Sequence, residues 1–364
     1  MVEWKRLGEV CEIGTGSNNR EDSCDNGLYP FFVRSQEVLR INTYLYDEEA
    51  ILIPGEGGIG DIFHYIHGKY GLHQRTYRVH PISNDLEGRY IYYFLFANFK
   101  TYISAKSYKS TAASIRKPML LEFPIAIPSL SEQERIVGIL DTFTAGIENI
   151  KKQIAQRRKQ YEFYRDQLLD LEGKEGVEMK TISQLCSKIC SGGTPSTSHK
   201  EYHNGNIPWL RTQEVDWKDI YDTEIKITNE AVEKSSAKLI PADCIIVAMY
   251  GATAAKVAIN KIPLCTNQAC CNLEINNVIA DTKYVYYWLC KEYKNLKSMG
   301  EGSQNNINGQ KIKSYPISLP SLQEQHRIVT ILDTFEASIA NLEAQLKQRE
   351  KLYEYYRNKL LTFE

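Results

Sequence analysis

No stretch of this chain is long and apolar enough to lie across a bilayer; no run approaches the roughly 20 residues a helix needs for that. The start, Met1-Val2-Glu3-Trp4-Lys5-Arg6, leads into no signal-peptide core, so the expected location is the cytosol. Cysteine is present without pattern: Cys11, Cys24, Cys186, Cys190, Cys244, Cys265, Cys270, Cys271 and Cys290 make an odd number in a chain too long to need disulfide staples. Reduced thiols are expected. Cys186 and Cys190 are four apart, but no second pair or His-x-x-x-His follows at a spacing that closes a zinc site, so no structural metal is expected. An excess of positive charge is also missing. Forty-four Lys and Arg face 45 Asp and Glu, a net charge of -1, which does not advertise a nucleic-acid binder, so any such binding would have to rest on local basic surfaces.

Catalytic motifs are missing as well. There is no Walker A loop, no Gly-x-Ser-x-Gly elbow, no His-Glu-x-x-His and no Asn-Pro-Pro-Tyr. Gly55-Glu-Gly-Gly-Ile-Gly60 fits G-x-G-x-x-G, yet the residues after it, Asp61 to Gly68, are β-rich and offer no helix N-terminus to a pyrophosphate. The glycines read as loop geometry, and no cofactor is expected in this chain. His64, His67, His73 and His80 cluster in one segment and read as solvated or satisfied side chains.

What the sequence does contain is itself, twice. Pro128 to Phe143 laid on Pro320 to Phe335 gives PSLSEQERIVGILDTF over PSLQEQHRIVTILDTF, 13 of 16 positions identical. The same offset carries Lys159 to Arg165 onto Lys351 to Arg357. Upstream the likeness fades and the offset drifts, which marks insertions in loops. Val33-Arg-Ser-Gln-Glu-Val38 matches Leu210-Arg-Thr-Gln-Glu-Val215, Ala50 to Ile53 matches Cys244 to Val247, and Tyr90 to Leu95 matches Tyr284 to Leu289. A period this long means two domains rather than a solenoid.

Each repeated tail reads as a helix of about 40 residues, roughly 60 Å at 1.5 Å per residue. Ser129 with Glu132, and Ser321 with Glu324, form a capping-box pattern after a proline. Apolar residues then recur at spacings of four and three, the heptad seam of a coiled coil. The expected seam is Leu140, Phe143, Ile147, Ile150, Ile154 and Tyr161 in the first tail, and Leu332, Phe335, Ile339, Leu342, Leu346 and Tyr353 in the second. The two helices are expected to pair antiparallel about a pseudo-two-fold axis. Asp170 to Gly176 is polar and glycine-bearing and is expected to be a flexible joint. The expected division is therefore a module over 1–128, a helix over 129–172, a second module over 173–320 and a second helix over 321–364.

The modules themselves read as α+β. Ala50–Pro54, Arg75–Val79, Phe123–Pro128, Asp243–Met249 and Tyr315–Pro320 have strand character, Arg89–Phe99 and Lys283–Leu296 helical. Polar residues at matching places could read base edges, arginine on guanine and glutamine on adenine. These are Arg34 and Gln36 with Arg211 and Gln213, and Gln74 and Arg75 with Asn267 and Gln268. Lys106, Lys109, Arg116 and Lys117 form a basic stretch before the first long helix, mirrored weakly by Lys311 and Lys313. The plainer alternative is that these side chains hold turns.

The doubled Pro-Ser-Leu-x-Glu-Gln-x-Arg-Ile-Val-x-Ile-Leu-Asp, with Ile51 to Gly60, His73 to Tyr77, Ile207 to Arg211, Ala248 to Thr253 and Thr266 to Gln268, resembles the specificity subunits of type I restriction-modification systems over nearly the whole chain. The resemblance implies two target-recognition domains, each reading half of a bipartite, asymmetric site on double-stranded DNA with an unread spacer. It further implies that the long helices set the spacing and hold two methyltransferase subunits, with a restriction/translocase subunit completing the complex. S-adenosylmethionine and ATP with Mg would sit on those partners, which would methylate adenine and cut unmodified DNA. A near-neutral charge then implies that the partners supply part of the phosphate contact. Two rivals differ in kind: an adaptor whose rods join proteins without touching nucleic acid, and a nucleotide-dependent enzyme built on Gly55 to Gly60.

Overall fold

The computed structural model describes residues 2–106, 114–300 and 306–363. The chain divides into two compact units, Met1–Lys152 with Glu343–Glu364, and Gln153–Leu342. The division falls inside the long helices rather than at 170–176. The reason is burial: Ile136 and Leu140 of the first long helix and Leu361 at the end of the second all enter the core of the first unit. Leu169, just before the expected joint, and Leu171, inside it, are buried in the core of the second. The segment after the first helix is thus pinned rather than a free tether, and its two glycines, Gly173 and Gly176, turn at φ +73° and +75°.

In the first unit six strands form one sheet, in the order Cys11–Thr15, Thr76–Pro81, Tyr46–Pro54, His64–Leu72, Tyr29–Phe32, Val38–Ile41. All neighbours are antiparallel except Tyr29–Phe32 on His64–Leu72, where Phe32 lies opposite Leu72. Ala50 to Ile53 carry no polar side chain and are fully buried, as expected of a strand covered on both faces. Helix Gly88–Lys106 packs Tyr90, Tyr93, Phe94 and Phe99 into the same core as Phe123. A separate ladder pairs Glu3–Arg6 with Pro124–Ile127, and the first long helix, Leu130–Leu168, follows it.

The second unit repeats the plan. Cys186–Ser191, Cys270–Ile275, Ile245–Ala248 and Val257–Asn260 stand in the same order as the first four strands above, with Asp219–Ile220 added at the edge. The parallel step recurs between His203–Leu210 and Leu264–Thr266, now in a sheet of four strands. Glu178–Thr181 pairs with Pro316–Leu319, and the second long helix runs Leu322–Leu360. The helical reading of Lys283–Leu296 resolves into two pieces, Thr282–Lys291 and Tyr293–Ser298. Glu292 breaks the run at φ -80°, ψ 6°, where its carboxylate accepts from Tyr315 Oη (2.7 Å) and Asn295 Nδ2 (2.7 Å).

The repeated motif explains itself through hydrogen bonds. Gln133 is fully buried; its Nε2 donates to Asp85 O (2.8 Å) and Pro128 O (2.9 Å), and its Oε1 accepts from Glu87 N (3.0 Å). Gln325, equally buried, donates to Pro320 O (2.8 Å) and accepts from Asp281 N (2.8 Å). The aspartate of Ile-Leu-Asp is a tether: Asp141 accepts from Tyr93 Oη (2.5 Å) and Arg89, Asp333 from Tyr287 Oη (2.6 Å) and Lys283. Glu132 and Glu324 each grip the arginine three residues on. The tail motif therefore locks the start of each long helix to the helix and strand of its own module.

Within each unit the long helices run antiparallel. In the first, Phe143 stacks on Tyr356 (5.4 Å, 27°) and Lys151 reaches Glu350 at 3.9 Å, so the partner number falls as the first helix advances. In the second, Tyr164 stacks on Phe335 (5.4 Å, 26°), the same pair of positions with the helices exchanged. Leu140, Ile147, Ile150, Ile154 and Leu332 are buried; Phe143, Tyr161, Phe335, Ile339, Leu342, Leu346 and Tyr353 are partly so.

Candidate nucleic-acid interface

The candidate base-reading residues lie on loops at the strand ends, where a shared scaffold leaves side chains free to vary. In the first module four segments converge: the turn after Thr15, the loop after Phe32, the loop after Pro54 and the turn after Leu72. Gly16 makes the first approach possible. A Cβ there would stand 1.8 Å from Leu72 O, so only glycine fits. The chain is thereby laid beside the turn at His73, where Asn18 forms a β-bridge with His73 and Gln74 Nε2 donates to Asn19 Oδ1 at 2.7 Å. The loop after Pro54 holds Gly57, Gly58 and Gly60 at φ +72°, +63° and +72°, all left-handed. The next element is strand His64–Leu72, so these glycines shape a loop and face no helix N-terminus.

That loop presents Glu56 to two of the candidates. Arg75 Nη1 donates to both its oxygens (3.2 and 2.9 Å) and Arg34 Nη1 to one (2.9 Å). The hydrogen bond from Arg75 holds the Glu56 carboxyl below the usual carboxylate range. His73 is buried, accepts from Arg75 N at 3.0 Å through Nδ1, and is pushed toward its neutral form by burial and by the two arginines. A cavity of about 200 Å³ opens here, with Arg20 on its edge and Arg34, Glu56 and His73 in its wall. Two other histidines of this segment are satisfied: His64 Nε2 contacts Ser35 O (3.0 Å) and His80 Nδ1 contacts Glu49 O (2.8 Å).

Gln36 is exposed. Arg116 and Lys117 are exposed at the start of the short helix Lys117–Leu121. This helix is tied to the glycine loop, since Ile115 N donates to Gly55 O (2.7 Å) and Ser114 bridges Glu56. Lys106 ends helix Gly88–Lys106, and Lys109 lies outside the described residues.

The second module reproduces the scaffold and changes the rim. Gly192 takes the place of Gly16, with a Cβ position 2.0 Å from Thr266 O, and sets Thr194 Oγ1 on Gln268 Oε1. Asn267 N donates to Leu210 O (2.9 Å) as His73 N donates to Phe32 O (3.0 Å). These two bonds make Phe32 the equivalent of Leu210. Arg34 and Arg211 are therefore one residue out of step, although the sequence aligns them. Accordingly Arg211 turns to a different acid, Glu224, with Glu214 at 3.9 Å and Gln213 beside it. Ile307 N donates to Met249 O (2.8 Å) as Ile115 N does to Gly55 O, so Asn308 and Gly309, not Lys311 and Lys313, stand where Arg116 and Lys117 do. Lys311 Nζ is held by Met299 O (2.7 Å), while Lys313 lines a cavity of about 430 Å³ with Lys238. Reasoning from sequence missed Asn19, Arg20, Glu56, Thr194 and Glu224. The glycines Gly16 and Gly192, each ahead of a polar turn, were the available signal for Asn19 and Thr194.

One α+β scaffold used twice, with unlike polar rims and a shared helix lock, defines a duplicated recognition protein. A family model described as the type I restriction modification DNA specificity domain matches residues 1–157 and again 174–350. The chain belongs to that family: it is a type I DNA specificity subunit, the component that determines target recognition. It is similar to the EcoR124I/EcoR124II specificity subunit of Escherichia coli, with 38% identity over 261 residues, 66% of this chain and 63% of that protein. A putative type I specificity subunit of Haemophilus influenzae is 28% identical over 100% of this chain and 96% of its own length. In fold, the S subunit from M. genitalium aligns over 100% of this chain and 97% of its own with a TM-score of 0.67 at 16% identity. The HsdS subunit from Thermoanaerobacter tengcongensis covers 99% of this chain and 96% of its own, with a TM-score of 0.51 at 16% identity. Among the described residues no helix is long and apolar enough to cross a membrane.

Proposed function

We propose that this chain reads a bipartite, asymmetric DNA site, one half through each module, and carries two methyltransferase subunits on the antiparallel helices. The observation that supports it is the contrast between what the duplication keeps and what it changes. Helix locks, strand order and loop anchors recur, while Arg34 and Arg75 on Glu56 give way to Arg211 on Glu224. Two readers of one shape and unlike chemistry suit two unlike half-sites, separated by roughly one helical turn of DNA, ~34 Å.

The helices carry two matched exposed aromatics, Phe163 (62% exposed) and Tyr355 (57%), at corresponding positions of the repeat. Aromatic side chains left in solvent at both copies fit the docking of one partner twice. The partners would hold S-adenosylmethionine, and a restriction/translocase subunit ATP with Mg, in the cytoplasm; this chain supplies the address. The adaptor reading accounts for the helices but gives the two rims no role, and the nucleotide reading lacks the helix its glycine loop requires. Co-expression with the cognate methyltransferase, followed by mapping of methylated adenines, tests the proposal. One bipartite motif that vanishes when this chain is omitted supports it; methylation indifferent to the chain refutes it.

A further inference from the structure

Glu56 sits between two arginines on the rim of the first module, and the second module has Tyr250, 41% exposed, at the matching position. Each guanidinium spends one nitrogen on the carboxylate and keeps its other donors for something else. Their side chains are 43% and 57% exposed, so those donors reach solvent. Two ligands on DNA could take them: a backbone phosphate or the edge of a base. Two arginines against one carboxylate leave the triad one positive charge, and the carboxylate 2.9 Å from each arginine cancels part of the attraction to a phosphate. A G·C edge uses all three groups, because O6 and N7 accept from an arginine fork while the amino group of the paired cytosine donates toward a carboxylate.

We infer that Arg34, Glu56 and Arg75 form a reader of a G·C base pair in the half-site of the first module, with Glu56 the positioning residue that aims the arginines and weakens their hold on phosphate. The inference rests on the function proposed above. The second module, lacking this triad, does not read its half-site in this way.

The test uses the wild-type chain assembled with its methyltransferase. Duplexes carry 7-deazaguanine, which lacks the N7 acceptor, at each guanine of the half-site assigned to residues 1–128. One position is expected to weaken binding about tenfold, since losing N7 breaks one half of a bidentate base contact. In the complex carrying both Arg34→Ala and Arg75→Ala that further loss disappears, because no donor to N7 remains, while base preference in the other half-site is unchanged. Glu56→Gln is expected to raise binding to unrelated duplex and steepen its salt dependence while discrimination at that G·C pair falls; a merely structural Glu56 would lower both kinds of binding together. A first half-site without a G·C pair overturns the inference, as does one in which 7-deazaguanine at every position stays within twofold. Failure of any DNA motif to depend on this chain would overturn the proposed function as well.

Discussion

Replacing Gln133 with leucine should open the start of the first long helix and leave the second untouched. The two side chains are similar in size, so no large cavity term enters. What is lost is three hydrogen bonds at a fully buried amide, those with Asp85 O, Pro128 O and Glu87 N. A backbone group stranded in a dry environment costs about 1–3 kcal/mol; taking the low end for each gives a loss of about 3 kcal/mol. Since 1.4 kcal/mol is a factor of ten, amide exchange in peptides spanning 86–95 and 124–140 should accelerate about 100-fold. Mass spectrometry of exchange reads this directly, and peptides spanning 281–289 and 316–332 serve as an internal control built on Gln325. Unchanged protection in the Gln133→Leu chain, or equal acceleration around Gln325, would refute the view that each motif locks its own module.

Three further outcomes are expected. Burial raises the Glu336 pKa, with Tyr287 Oη donating to its carboxylate at 2.9 Å and Asp333, Lys283 and Tyr161 around it. A raised folded value means that the folded state holds the proton more tightly. Stability of the second unit therefore falls as pH rises from the ordinary glutamate range, about 4.3, through the folded value. Glu336→Gln should be more stable than wild type at pH 7, with the gap closing near pH 4 in urea melts; a gap independent of pH contradicts this. Gly16→Ala, whose Cβ must displace Leu72 O, should cost about 1–3 kcal/mol locally and abolish reading of one half-site, whereas Gly192→Ala abolishes the other. Methylated-motif mapping separates the two, and a shared loss would count against independent rims. Phe163→Asp and Tyr355→Asp should each reduce methyltransferase stoichiometry from two toward one by native mass spectrometry; two full equivalents in the double variant would remove these aromatics from the interface.

The duplication, the helix starts after Pro128 and Pro320 and the buried strand at Ala50 to Pro54 were legible in the sequence, because each is written in local order: a repeated string, a cap, an unbroken apolar run. Sheet order was not. The parallel pairing of Phe32 with Leu72 joins residues 40 positions apart and leaves no local mark. The offset of Arg34 from Arg211 was hidden by a coincidence of letters, Arg-x-Gln-Glu in both modules, that backbone hydrogen bonds override. Glu56 was visible only as the second letter of a glycine motif, since its meaning depends on Arg34 and Arg75, brought to it from two other loops. Helix length was read well, but the unit boundaries within the helices follow from burial of Leu169, Leu171 and Leu361, which the polar, glycine-bearing joint obscured.

The central claim, two independent readers on one scaffold, is tested most directly by exchange of residues 1–128 for those of a relative with a different target, followed by sequencing of methylated adenines in cells that also express the methyltransferase. One half of the motif should change to the donor's while the other half stays the same. A motif that changes in both halves, or in neither, would contradict it.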